Sequence, residues 1–133
     1  AIVIGSDQVA WRLHEPQHFL GKPLTVENAI KQLQQCSGQS IVFSTALSVI
    51  HLANGFEHTV LEHFQVKFRD LSLDEIQRYI QADDPLHCAG SFKCEQLGIS
   101  LFESMHGNDF TSLMGLPLIQ LCHILRKFDF QLP

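Results

Sequence analysis

Apolar and polar positions divide the chain into seven segments of regular structure. Ala1-Ile2-Val3-Ile4 is a continuous apolar run closed by Gly5-Ser6-Asp7. That pattern predicts a strand buried on both faces, as inside a parallel sheet flanked by strands and covered by helices, with further sequence expected before it. A polar stretch punctuated by Pro and Gly, Asp7 to Leu24, predicts a loop. Thr25 can then cap a helix whose apolar residues Val26, Ala29, Ile30 and Leu33 recur at helical spacing, with Ser37-Gly38 as its stop. Ser40 to Leu52 and Phe56 to Arg69 are strand-like and meet at Asn54-Gly55, a hairpin signal. In the second of these, Phe64, Val66 and Phe68 alternate with Gln65 and Lys67, as on a strand with one wet face.

Ser72-Leu73-Asp74-Glu75 reads as a capping box opening a helix through Ile76, Tyr79 and Ile80, which Asp83-Asp84-Pro85 ends. A Gly-containing segment, Cys88 to Gly98, leads to a predicted strand at Ile99 to Phe102. Pro117 can occupy the first turn of a last helix, with Leu118, Leu121, Cys122, Leu125 and Phe128 inward and Arg126 and Lys127 at its end. The order β, α, hairpin, α, β, α predicts an α/β fold: a mixed sheet with flanking helices, in one domain over residues 1–133.

Composition narrows the function. Hydrophobic residues make up 45% and charged ones 17% of the chain, the balance of a globular protein. A net charge of −5 argues against nucleic acid polymers as partners, while a compact site for one phosphorylated small molecule needs only a few local cations. The apolar stretch from Leu113 to Leu125 is broken by Gly115, Pro117, Gln120 and His123 and falls short of a bilayer span, so no membrane partner is expected. The four cysteines, Cys36, Cys88, Cys94 and Cys122, are scattered and read as reduced core residues, and a cytoplasmic location is expected.

His14-Glu15-Pro16-Gln17-His18 matches H-E-x-x-H by letter, but Pro16 removes the helix that this zinc motif needs. His87-Cys88 with Cys94 fits no zinc spacing. Asp7, just past a predicted buried strand, stands where open α/β sheets place ligand crevices and could hold a divalent metal or polarise a water; a turn aspartate capping local backbone is the competing reading. Lys22 in Gly21-Lys22-Pro23 could reach a phosphate, or be merely solvated. In Ala89-Gly90-Ser91-Phe92-Lys93-Cys94-Glu95 the glycine permits close backbone approach, and Lys93 and Glu95 set opposite charges beside a ring. That suits a nucleotide-recognition loop, an irregular connection, or a simple Lys93–Glu95 surface pair.

Taken in order, Gly5-Ser6-Asp7-Gln8, Gly21-Lys22-Pro23-Leu24, Leu86-His87-Cys88-Ala89-Gly90-Ser91-Phe92-Lys93-Cys94-Glu95 and Gly115-Leu116-Pro117 resemble the Maf-like nucleotide pyrophosphatases across essentially the whole chain. The closest resemblance is to the subgroup that hydrolyses 7-methyl-GTP. It implies an α/β fold related to the inosine triphosphate pyrophosphatases. The implied reaction cleaves nucleoside triphosphates between the α and β phosphates with a divalent metal, Mg²⁺ or Mn²⁺, to give monophosphate and pyrophosphate. It further implies cytoplasmic, commonly homodimeric enzymes that clean nucleotide pools, with a name derived from an effect on septum formation. By motif match Asp7 takes the catalytic proton-acceptor role and is a metal candidate, Lys22 binds phosphate, and Gln8 and Glu95 fall at positions tied to substrate choice. The family pattern opens with a Ser- and Arg-containing phosphate loop, then an acidic residue and a Lys, all upstream of Ala1. The expectation is therefore a domain lacking its N-terminal segment, slower alone than a full-length relative. A non-catalytic interaction module that keeps only part of the site is the alternative.

Overall fold

Asn54-Gly55 turns the chain as its sequence predicts, with Gly55 at a φ of 73° and its N–H on the His51 carbonyl. The computed structural model describes residues 1–133. Its elements are β1 (Ile2–Arg12), β2 (Glu15–Phe19), α1 (Val26–Cys36), β3 (Ser40–His51), β4 (Phe56–Phe68), α2 (Leu73–Asp83), β5 (Phe102–Gly107), α3 (Phe110–Leu113) and α4 (Leu118–Lys127). The strands form one five-stranded sheet in the order β2-β1-β3-β4-β5.

The α/β class with flanking helices is as predicted, but the opening strand differs from its expectation. Its pairing is antiparallel: β1 and β3 run in opposite directions, with Leu52 N–H on Ala1 O at one end and Leu13 N–H on Ser40 O at the other. Nor is the apolar run sealed, since Val3 and Ile4 are 47% and 45% exposed. The reason is that β2 pairs with β1 only at Trp11 and Arg12, while Ile2 alone of the run packs on a buried cluster. The predicted loop from Asp7 is likewise largely strand, because β1 continues to Arg12 and β2 follows after a two-residue turn at Leu13 and His14. The expected strand at Ile99 to Phe102 is instead a 3₁₀ turn, Leu97–Leu101, with β5 beginning at Phe102. Hydrogen bonding decides this: Ser100 Oγ donates back to Leu97 O and Phe102 N–H to Ile99 O, closing turns where a ladder was expected.

The helix signals translate closely. Thr25 caps α1 by accepting from Asn28 N–H, and Ser72 and Glu75 complete a reciprocal capping box on α2. Asp84, at a φ of 47°, ends α2. The inward lines are shifted, however. α1 buries Ala29, Leu33 and Cys36 while Val26 in its first turn is 51% exposed. In α4 Leu118 is 44% exposed and Ile124, absent from the predicted line, is 1% exposed. Each helix thus turns its central residues inward and leaves its first apolar residue wet.

The chain divides into two compact units. In one, comprising Ala1–Gln8, Ser44–Phe64 and Gly107–Pro133, Leu47 and Val49 of β3 pack on Leu121 and Ile124 of α4, with Ile2, Val60, Leu116, Leu125 and Phe128 around them. Gly107 touches Phe64 so closely that an added Cβ would lie 2.2 Å from the ring, so only glycine fits. In the other, comprising Val9–Phe43 and Gln65–His106, Phe43, Phe68, Phe92 and Phe102 meet edge to face with centroids 5.1–5.8 Å apart. There α1 packs against α2 and against Ala89–Ser91, and α2 against Leu97–Leu101.

Candidate functional site

Two groups of residues carry the candidate chemistry, one in each unit. Asp7 stands in the middle of β1, exposed, with Oδ1 accepting the Gln8 backbone N–H at 2.9 Å. It is therefore a strand residue and not a turn residue past a strand end, as the sequence suggested. Alternation along the strand sends Gln8 to the opposite face. There Gln8 Nε2 donates to Thr45 Oγ1 and to Ser112 O, both at 2.9 Å, and Thr45 Oγ1 donates to Ser112 O at 3.1 Å. The donor end of Gln8 is thus spent fastening β1 and β3 to α3.

The α3 segment is held from its other end as well. Asp109 caps it, accepting from Thr111 N–H and Thr111 Oγ1, and its Oδ2 accepts Ile119 N–H at 2.9 Å, joining α3 to the start of α4. Burial pushes the Asp109 carboxyl up, but the hydrogen bonds from Thr111, Ile119 and Leu118 outweigh it and leave the group below its ordinary range.

In the second unit Lys22 and Glu95 lie on two loops that bond to each other. Leu24 N–H donates to Leu86 O at 2.9 Å and Gly90 N–H to Gly21 O at 3.4 Å, while Pro23 is buried and Lys22 stays exposed. Downstream, Lys93 N–H donates to the Tyr79 hydroxyl at 2.7 Å and Leu97 N–H to Asp83 Oδ2 at 2.9 Å, so α2 anchors the loop that presents Glu95. Burial, the hydrogen bond with Asp83 and the Asp83 charge keep the Tyr79 phenol neutral, its titration raised despite the Lys93 N–H.

Charges from both loops act on the Cys88 thiol. Burial raises its pKa; Lys93 and Lys22 pull it down, while Glu95 and Asp83 push it up. Lys22 and Glu95 therefore act on one small region. Glu95 is exposed and accepts the Cys94 S–H at 3.5 Å; burial, that bond and the Glu95 charge raise the Cys94 thiol to about 12. The simple surface pairing with Lys93 is not what forms: the ion pairs are Arg12–Glu15 and Arg69–Glu75. All four cysteines are free thiols, Cys36 and Cys94 buried and Cys88 and Cys122 half-buried. His14 stands in a turn and Glu15 to His18 on β2, so the H-E-x-x-H letters have no helix. No three His, Cys, Asp or Glu side chains are grouped to hold a metal.

No motif marked Gln32 or Thr45, and Ser91, Tyr79 and Asp83 stood out only as a motif member, an inward helix residue and a helix end, yet all five fix loops or strands. One signal was available for Gln32: it lies with Ala29, Leu33 and Cys36 at i, i+3, i+4 and i+7, a polar residue on the inward line of α1.

A strand carboxylate in one unit, and a lysine and a carboxylate on paired loops in the other, are the charged groups of the motif positions, and all three are exposed in an α/β protein. The chain belongs to the Maf-like protein family, whose profile matches residues 1–128. It is 65% identical, over its whole length, to a protein of Acinetobacter baylyi named nucleoside triphosphate pyrophosphatase, covering 67% of it. It is 48% identical over 99% of its length to a 7-methyl-GTP pyrophosphatase of Pseudomonas putida, covering 67% of that protein. With the 7-methyl-GTP pyrophosphatase of Aliivibrio fischeri it shares 47% identity over 95% of its length, covering 64% of that chain. The chain thus spans about two thirds of the length of these relatives. By their names the relatives are hydrolases acting on acid anhydrides.

Proposed function

We propose that this chain forms the Asp7, Lys22 and Glu95 part of a nucleoside triphosphate pyrophosphatase that converts 7-methyl-GTP to the monophosphate and pyrophosphate. The family and the relatives' names support the reaction, and two relatives carry the finer substrate in their names. The observation that carries the reading is the loop pair itself. Its backbone bonds, Leu24 N–H to Leu86 O and Gly90 N–H to Gly21 O, join the loop that carries a lysine suited to phosphate to the loop that carries a carboxylate suited to a purine edge.

Asp7 is the proton acceptor in this reading. A carboxylate on an exposed strand can orient the attacking water and take its proton, and Gln8 N–H fixes the plane of its carboxyl. Lys22 supplies a fixed positive charge to phosphate oxygens, where charge accumulates as the anhydride opens. Glu95, acceptor-only, takes both the ring N1–H and the exocyclic amine of guanine, and its charge favours a base made cationic by N7 methylation. A divalent cation would have the exposed Asp7 carboxylate as its protein ligand and would draw the rest of its shell from substrate phosphates and water, as Mg²⁺ typically does. When bound, it supplies neutralisation of the phosphate charge.

The test is a product analysis with 7-methyl-GTP, GTP and UTP as substrates, using a protein of the relatives' full length. The expected result is 7-methyl-GMP and pyrophosphate, with 7-methyl-GTP turned over fastest. Release of orthophosphate, or no preference for the methylated base, would overturn the reading.

A further inference from the structure

Gln32 bonds both loops of the second unit at once. Its Nε2 donates to the carbonyl of Gly21, the residue before Lys22, at 2.8 Å, and its Oε1 accepts the hydroxyl of Ser91 in the loop that carries Glu95. Ser91 is an unusual residue to find there. It is fully buried and sits at a φ of 67° directly after Gly90 at 78°, so two successive residues occupy the left-handed region. A serine seldom adopts that backbone without something to hold it. Two bonds hold it: the Ser91 N–H on Cys88 O at 3.0 Å and the hydroxyl on Gln32.

We propose that Gln32 and Ser91 are a positioning pair that sets the separation of Lys22 from Glu95, and through it the match between phosphates and base. The pair touches no ligand itself. The proposal rests on Lys22 and Glu95 being the substrate contacts proposed above, and deepens that reading. Tyr79 and Asp83 anchor the downstream half of the loop, at Lys93 and Leu97, so the clamp governs the stretch from Gly21 across to Ser91. A shared carboxamide makes the two loops move as one. Without it the tie between the loops falls to the Leu24–Leu86 and Gly90–Gly21 backbone bonds, the second of them long at 3.4 Å, while Asn28 Nδ2 on Pro23 O still holds the Lys22 loop to α1.

Amide exchange on this chain, followed by nucleotide kinetics at the relatives' full length, tests the pair. Gln32→Met keeps the length of the side chain and removes both bonds, while Ser91→Ala removes one. Gln34→Met, on an exposed position of α1, is the control. Exchange at Gly90 and Leu24 is expected to quicken in Gln32→Met and Ser91→Ala and not in the control, with helix amides of α1 unchanged. In kinetics, Gln32→Met should raise KM for 7-methyl-GTP roughly tenfold, within the net worth of the two hydrogen bonds it removes, with kcat within about twofold. Its preference over UTP should narrow, and Ser91→Ala added to Gln32→Met should cost little more because the bond is shared. Unchanged exchange at Gly90 and Leu24, or exchange rising uniformly through α1 and α2, would overturn the positioning role whatever the enzymology. Faster loop exchange in a protein that hydrolyses no nucleotide would leave the clamp standing and defeat the functional reading alone.

Discussion

Asp7 and Lys22 are both exposed, yet the chain carries them by different means. Asp7 rides on an eleven-residue strand, where ladder geometry sets its position and its one added contact is the N–H of its neighbour. Lys22 and Glu95 ride on loops, and loops hold no position by themselves. Gln32 from α1 and Tyr79 and Asp83 from α2 reach in to fix the backbone of those loops at Gly21, Lys93 and Leu97. In the proposed roles, a proton acceptor needs one rigid attachment, whereas a pair of groups matching a phosphate and a base at once needs its spacing set by side chains that touch no ligand.

The contrast can be broken most forcefully at Asp7. Asp7→Asn should cut kcat by ~10²–10⁴-fold, the range of a general base, with binding nearly unaltered because the amide keeps the shape. A raised KM with normal kcat would make Asp7 a binding group. The second test compares glycines. An added Cβ at Gly98 would lie 2.3 Å from Lys93 O, whereas one at Gly5 meets nothing within 4 Å. Gly98→Ala should therefore cost ~1–3 kcal/mol, as overpacking does, and loosen the Glu95 loop. Gly5→Ala should stay within ~0.5 kcal/mol. Equal denaturation midpoints for the two variants would contradict the idea that the loop is tightly framed.

The smallest effect is a pH dependence in the frame itself. The Ser72 N–H, the Arg69 guanidinium and the Ser72 hydroxyl, in that order, lower the Glu75 carboxyl from 4.5 to about 2. A depressed carboxyl stabilises the fold above its unfolded pKa and loses that contribution as pH falls through the folded one. Stability should thus decline modestly from pH 4.5 to about 2, and Glu75→Gln should flatten that part of the profile. A thermal-melt series that is identical for both proteins would remove the box from the account.

What the sequence made legible follows from how local each signal is. The Thr25 and Ser72 caps, the Asn54-Gly55 turn and the alternation from Phe64 to Phe68 are complete within a few residues, and each appears where predicted. The exposure of Val3 and Ile4 depends on which strands lie alongside, which the run Ala1-Ile2-Val3-Ile4 does not encode. The same holds for Ile99 to Phe102, where Ser100 bonds its own turn. Among the candidate site residues, Asp7, Lys22 and Glu95 come from the motif match, while Gln32 and Ser91 are joined by a bond spanning fifty-nine positions. Ser91's left-handed backbone left no trace in residue type.

The most direct test of the central claim, that the Lys22 and Glu95 loops form one nucleotide-reading surface, is Glu95→Gln assayed with 7-methyl-GTP and UTP in competition. Glutamine keeps the size of the side chain but replaces one acceptor by a donor and removes the charge. The expected result is a kcat/KM for 7-methyl-GTP lower by roughly ten- to a hundredfold, the worth of a charge-assisted hydrogen bond, with UTP little affected. Equal losses for the two substrates would show that Glu95 supports the loop or the phosphates and does not read the base.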